Sequence, residues 1–166
     1  MTHTALREPR RYRFDAAPLR VYWEVTRACD LACRHCRAAA VALRHPAELD
    51  AREARQLFAQ LASGAAPLPH VVLTGGDPFK RPDLFDLIAS ARALRLPVSV
   101  SPSATPLVTP AAIGRLKQAG AEAISLSLDG ASAEQHDAFR GVPGTFARTI
   151  AAARMAAAVD LAFQVN

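Results

Sequence analysis

The sequence has no fourth cysteine. Its three, Cys29, Cys33 and Cys36, fall in one short stretch of a 166-residue chain. Such crowding counts against a disulfide framework and for a metal site. Lysine is scarce too: Lys80 and Lys117 stand alone, so arginine carries almost all the positive charge behind the net +5. The arginines are scattered, apart from Arg7, Arg10, Arg11 and Arg13, and aromatics make up only 6% of the chain. With no basic stripe interleaved with aromatics, nucleic acid is not an expected partner. No apolar run approaches the roughly 18 residues of a spanning helix, and no apolar stretch of an export signal follows the basic N-terminus. A cytoplasmic protein with no membrane partner is expected.

What is present reads as globular, since 51% of the residues are apolar and a disordered chain would have far fewer. Met1 to Pro18 is polar, carries Pro9 and Pro18 and shows no period, which predicts a tail before a single domain over 19–166. From Leu19 onward, short apolar runs alternate with helical patterns, as parallel βα units do. Strands are expected at about Arg20–Thr26, His70–Thr74, Pro97–Ser101 and Ala123–Leu128, with a fifth starting at Leu161. Helices are expected near Asp50–Ala62, Pro82–Leu94, Thr109–Gly120 and Thr145–Ala158. Asp50 with Glu53 makes a capping-box start, and Thr109, Pro110 and Gly120 punctuate the third helix at both ends.

Four of the five strands alternate. Val21, Trp23 and Val25 oppose Tyr22, Glu24 and Thr26, and Val98 and Val100 oppose Ser99 and Ser101. Ile124, Leu126 and Leu128 oppose Ser125, Ser127 and Asp129; Leu161, Phe163 and Val165 oppose Ala162, Gln164 and Asn166. A parallel sheet covered on both faces reads as continuous apolar runs, and a closed eight-stranded barrel fills its interior with branched aliphatics. One polar face predicts instead an open or partial α/β barrel, with helices outside and something polar in the lumen.

The cysteines lie on the loop after the first strand, at the strand's carboxyl end, where α/β folds place their sites. Three thiolates can cap three corners of an iron–sulfur cubane, and without a fourth one iron stays open to an outside ligand. Two other readings stand beside this one. A structural zinc could be completed by His45 or an outside ligand, and an electron-transfer cluster by a partner's cysteine.

The spacing C-x3-C-x2-C from Cys29 to Cys36 resembles the signature of the radical S-adenosylmethionine (SAM) superfamily, and the resemblance covers Leu19 to Asn166. It implies a [4Fe–4S] cluster whose open iron is chelated by the amine and carboxylate of SAM. The reaction implied is reductive cleavage of SAM to a 5′-deoxyadenosyl radical that takes hydrogen from a substrate. His35 stands where the family usually has an aromatic residue against the adenine. Thr74-Gly75-Gly76-Asp77-Pro78 matches the family's GGEP segment, with Asp for the commoner Glu, and implies contacts to the SAM amine from Gly75, Gly76 and Asp77. The fold implied is a partial (β/α)6 TIM-type barrel, truncated here after about four and a half βα units.

Polar strand ends complete the expected site. Ser101, Ser103 and Thr105 follow the third strand, and Ser127 and Asp129 end the fourth; Ser101, Ser127 and Asp129 are the candidates for SAM contacts. Arg140, in a segment resembling one in relatives with a C-terminal SPASM or similar domain, is implied to meet the SAM carboxylate. The wording around Trp23 and Thr74 is similar to the branch of haem-biosynthesis-like and peptide-modifying members. That implies a tetrapyrrole precursor or a peptide as substrate and an electron donor such as flavodoxin or ferredoxin. Because the chain stops inside its fifth strand, the expectation is a fragment, either active when complete or an inactive cluster-binding or zinc-binding module.

Overall fold

The structure, a computed structural model, describes residues 17–37, 39–64 and 67–166. The expected tail up to residue 16, with its arginine run, lies outside the described residues. Five strands form one sheet: β1 (Arg20–Thr26), β2 (His70–Gly75), β3 (Val98–Val100), β4 (Ala123–Leu126) and β5 (Ala162–Val165). All pairings are parallel and the order in space is the order in sequence. Parallel neighbours joined by right-handed crossovers wind in one direction and put every helix on the same face.

Local chemistry starts and stops the helices. At α1 (Ala51–Ala62) the Asp50 carboxylate accepts from the Glu53 N–H at 2.8 Å while Glu53 accepts from the Asp50 N–H at 2.9 Å. α2 (Leu84–Ala93) buries the expected Leu84, Leu87, Ile88 and Ala91. At α3 (Pro110–Ala119) the Thr109 hydroxyl accepts from the Ala112 N–H, and Gly120 ends the helix at φ +97°. α5 (Thr145–Ala158) has the expected bounds. α4 (Ala133–Arg140) was not expected: only His136 is buried along it, so no apolar stripe betrays it, and its local signals lie at its ends, Ser132 capping the Gln135 N–H and Gly141 closing it at φ +74°.

The apolar sides of β2, β3 and β4, led by Leu73, Val100, Ile124 and Leu126, pack with Phe58, Leu84, Ile88, Leu116 and Ala152 of the helices. The other face is polar. Arg20, Tyr22, His70, Ser99, Ser125, Gln164 and Asn166 line one cavity of about 440 Å³, so the first and last strands reach the same space and the sheet is curled but not closed. The polar chains bond across it, His70 Nε2 lying 2.7 Å from Ser99 Oγ and Asn166 donating to the Ser125 hydroxyl at 2.7 Å. Thr26 breaks the alternation: it is fully buried, its hydroxyl donating to Glu48. On β5 the apolar Phe163 and Val165 are 43% and 50% exposed, so the outer face of this strand is uncovered.

Arg81, 2% exposed, ties this frame to the cysteine loop's base. It donates to Val25 O at 3.0 Å and Leu49 O at 2.8 Å, forks onto Asp83, and stacks over Trp23 at 5.4 Å. Arg81→Ala takes the guanidinium donors from the buried Val25 carbonyl and from the Leu49 carbonyl, and chemical denaturation is expected to show a loss of about 3 kcal/mol.

Candidate functional site

Among the described residues, 27–42 form no helix or strand beyond the single bridge of Ala28 to Val41, so most of their backbone groups must be met from outside. Cys29 N–H donates to Val41 O at 2.9 Å and Val41 N–H to Arg27 O at 3.0 Å, closing the loop at its neck. The far side is held by the end of α4, where Ala32 N–H donates to Arg140 O and Arg34 N–H to Phe139 O. Lys80 pairs with Asp30 at 2.5 Å and donates to Ala42 O, while Glu48 gathers the Thr26 hydroxyl, Arg27 N–H and Arg44.

This frame sets Cys29, Cys33 and Cys36, all free thiols, around one cavity of about 210 Å³. Cys29 is the most buried. Its sulfur lies 3.5 Å from Ser103 Oγ and accepts from Leu31 N–H at 3.4 Å. Burial pushes its pKa up and the charges of Asp77 and Cys33 add to this, against the two hydrogen bonds. A coordinated metal reverses that balance, since a coordinating thiol is deprotonated.

Gly75 and Gly76 form the cavity floor and owe their identity to the backbone beneath them. A Cβ at Gly75, where φ is +129°, would meet Thr26 O at 2.1 Å, and one at Gly76 would meet Ala28 O at 2.4 Å. The approach allows Gly76 N–H to bond Thr26 O at 2.8 Å and Asp77 N–H to bond Ala28 O at 2.7 Å.

Asp77 departs from expectation. Its side chain is fully buried away from the cavity, accepting from the Phe79 N–H at 3.1 Å and the Thr105 hydroxyl at 2.6 Å. Burial raises its pKa, with Thr105 and Phe79 opposing. The carboxylate is engaged in capping the turn Pro78–Lys80, so what this segment offers the cavity is backbone.

Arg140 reaches the cavity from the C-terminus of α4. Its Nε donates to Asp129 at 2.5 Å, Nη1 lies 3.6 Å from the Cys33 sulfur, and Nη2 is buried with no partner among the described residues. Asp129 therefore holds the arginine and does not itself line the cavity. His35 lines the rim with its ring stacked on Phe139, centroids 4.5 Å apart. Ser127 lies beneath the site and Ser101 on the polar sheet face, so neither joins the cysteines.

Two lining groups, Glu24 and Arg37, escaped the sequence reading, and of the expected serines after the third strand the one at the site is not the one singled out for SAM. Ser103, not Ser101, reaches Cys29 and donates to Gly76 O at 2.7 Å, because the chain leaves the sheet after Val100 and alternation no longer applies. Glu24 and Arg37, paired at 2.9 Å, also line the cavity; Glu24 was legible on the polar side of β1, whereas Arg37 had no pattern to mark it.

Three thiols and a buried guanidinium nitrogen without a partner suit a multi-iron cluster, whose corners each take one thiolate, with an anionic ligand beside it. Among the described residues no three His, Cys, Asp or Glu side chains close around a single-ion position. His45, the candidate fourth zinc ligand, lies in a different cavity with Arg44 and Glu48, its Nδ1 accepting from Ala47 N–H.

An open, parallel α/β half barrel with a three-thiol site at the carboxyl ends of its strands defines the class. The model of the radical SAM superfamily matches residues 23–163, and the chain belongs to that superfamily. It is 41% identical over 146 residues to the AdoMet-dependent heme synthase of Oleidesulfovibrio alaskensis, covering 88% of this chain and 37% of the relative. It is 35% identical to the mycofactocin maturase MftC of Mycobacterium ulcerans, covering 88% and 38%. The chain thus spans under two fifths of these relatives. The crystal structure of Streptococcus suis SuiB bound to S-adenosylmethionine superposes with a TM-score of 0.76 at 20% identity, covering 91% of this chain and 34% of SuiB. The likeness extends the expected partial barrel to a solved fold. Among the described residues no helix is long and apolar enough to cross a membrane.

The buried Asp77 leads to a test that separates a turn cap from a ligand. Asp77→Ala removes acceptors for Phe79 N–H and Thr105 and is expected to cost about 1–3 kcal/mol in urea denaturation. Asp77→Asn keeps one acceptor and should leave SAM binding to the reconstituted chain unchanged by calorimetry.

Proposed function

We propose that this chain is the core of a radical SAM enzyme, in which Cys29, Cys33 and Cys36 hold a [4Fe–4S] cluster and SAM binds beside it. The observation that carries this reading is the convergence of three free thiols on one cavity that Arg140 also lines, with its buried Nη2 unpartnered among the described residues. The cluster, when bound, supplies the electron that cleaves SAM to methionine and a 5′-deoxyadenosyl radical.

The chain's own residues have separable parts in this. Gly75 and Gly76 present unhindered backbone to the SAM amine, because no side chain can be accommodated at either. Arg140 offers its guanidinium to the SAM carboxylate, with Asp129 orienting it through Nε. His35, stacked on Phe139, offers a flat edge and backbone to the adenine. Ser103 holds the Cys29 sulfur and the Gly76 carbonyl together.

The substrate lies in the polar cavity of the sheet, which shares Thr74 as a wall with the cysteine cavity. Relatives named as a haem synthase and a peptide maturase point to a tetrapyrrole precursor or a peptide. Arg20, His70 and the serine hydroxyls suit either, since both carry polar and anionic groups. The electron comes from a small donor such as flavodoxin or ferredoxin, the solvent-facing rim of the cavity leaving the site open to one.

The test is anaerobic reconstitution of the purified chain with iron and sulfide, followed by dithionite and SAM. Formation of 5′-deoxyadenosine and a SAM-dependent change in the cluster's electron paramagnetic resonance signal are expected, with both lost in Cys33→Ala. Neither appearing in the wild-type chain would sink the reading, and zinc in place of iron and sulfide in anaerobically purified protein would replace it with a structural site.

A further inference from the structure

Beneath the cysteine cavity lies a second, much smaller one of about 10 Å³, lined by Ser127, His136, Arg140, Thr145 and Thr149 among others. That is room for one water molecule, and water enters such a space when two or more polar groups face it. Three residues that line it carry a buried polar atom with no partner among the described residues: His136 Nε2, Thr149 Oγ1 and Arg140 Nη2; His136 and Thr149 are 0% and 2% exposed.

The state of the imidazole follows from its other nitrogen. Asp129 N–H points at His136 Nδ1 at 3.1 Å, and a backbone N–H can only donate, so Nδ1 carries no proton. Phe146, edge-on to the ring at 5.9 Å, packs against it in this orientation. The proton of the neutral ring is therefore on Nε2, the nitrogen that belongs to a residue lining the small cavity. A donor in that place needs an acceptor, and a water accepting from Nε2–H can bond the Thr149 hydroxyl as well.

The backbone so held is that of Asp129, whose carboxylate grips Arg140, and Arg140 in turn faces Cys33. We propose that His136 is a positioning residue for the SAM site: as the Nε2–H tautomer it anchors Asp129 through Nδ1 and is itself anchored by one internal water shared with Thr149, so that the Asp129–Arg140 pair is set against Cys33. The SAM half of this inference rests on the function proposed above; the tautomer and the water do not.

The two amide substitutions divide the ring's functions. Asn places its oxygen near the position of Nδ1, whereas Gln reaches toward Nε2. His136→Asn is expected to hold SAM affinity within about threefold, and His136→Gln to weaken it by about tenfold or more, the scale on which outer partners of a site act. Calorimetry on the reconstituted chain measures both. Equal losses in the two variants would overturn the positioning role.

A second measurement needs neither cluster nor SAM. Nitrogen-15 NMR of the histidine-labelled wild-type chain should show His136 protonated on Nε2 only, with the Asp129 amide shift changed by His136→Gln and retained in His136→Asn. Protonation on Nδ1 would overturn the inference whatever the enzyme does. A high-resolution crystal structure should place an ordered water between His136 and Thr149, and a dry cavity there would remove the water from it. If the wild-type chain binds no SAM while the NMR result holds, the functional reading falls and the anchoring of Asp129 stands.

Discussion

The cysteine loop is held by backbone, and everything at the site depends on how closely other backbone can approach it. A loop without helix or strand leaves its N–H and C=O groups to be satisfied by neighbours. Here the end of β2 comes so near that only glycine fits at positions 75 and 76, and the end of α4 closes the other side, with Gly141 free of a Cβ that would lie 2.5 Å from Ala32 O. The pair of glycines is thus first a packing solution. The same bareness that admits the loop also leaves amides and carbonyls open toward the cavity.

Charge is arranged around this clamp in layers. Asp77 is withdrawn into the turn with Thr105 and does not line the cavity, although its charge still pushes the Cys29 pKa up. Arg140 comes forward in its place, restrained by Asp129, and brings a cation against the Cys33 sulfur. A cation beside the cysteines favours the anionic form of their sulfurs, whereas a carboxylate there would oppose it. Lys80 and Glu48 do comparable work at the loop's outer edge, fixing Asp30 and the Arg27 backbone.

Much of the fold was legible because its signals are local. Capping residues at Asp50 and Thr109, the apolar stripe of α2 and the alternation of β1, β3 and β4 each state their structure within a few residues. α4 was not legible, since an eight-residue helix that buries only a histidine has no period to detect. The cysteines were read from their spacing, and the glycines from their resemblance to a family segment one βα unit later. The separation of Ser101 from Ser103, and of the Asp77 side chain from its backbone, was not, because alternation stops where the strand stops and a turn can direct a carboxylate to either side.

The sequence alone determined the class of the protein: three thiols at fixed spacing after a strand, and a glycine pair one βα unit later, are covalent facts that any folding of this chain must respect. It also determined which face of the sheet is polar, since a period of two is a property of the strand itself. Only the tertiary structure decided which polar residues meet. Arg140 is 107 positions from Cys33 and Ser103 is 74 from Cys29, and contacts over such separations depend on the summed crossovers between them, which no local pattern encodes.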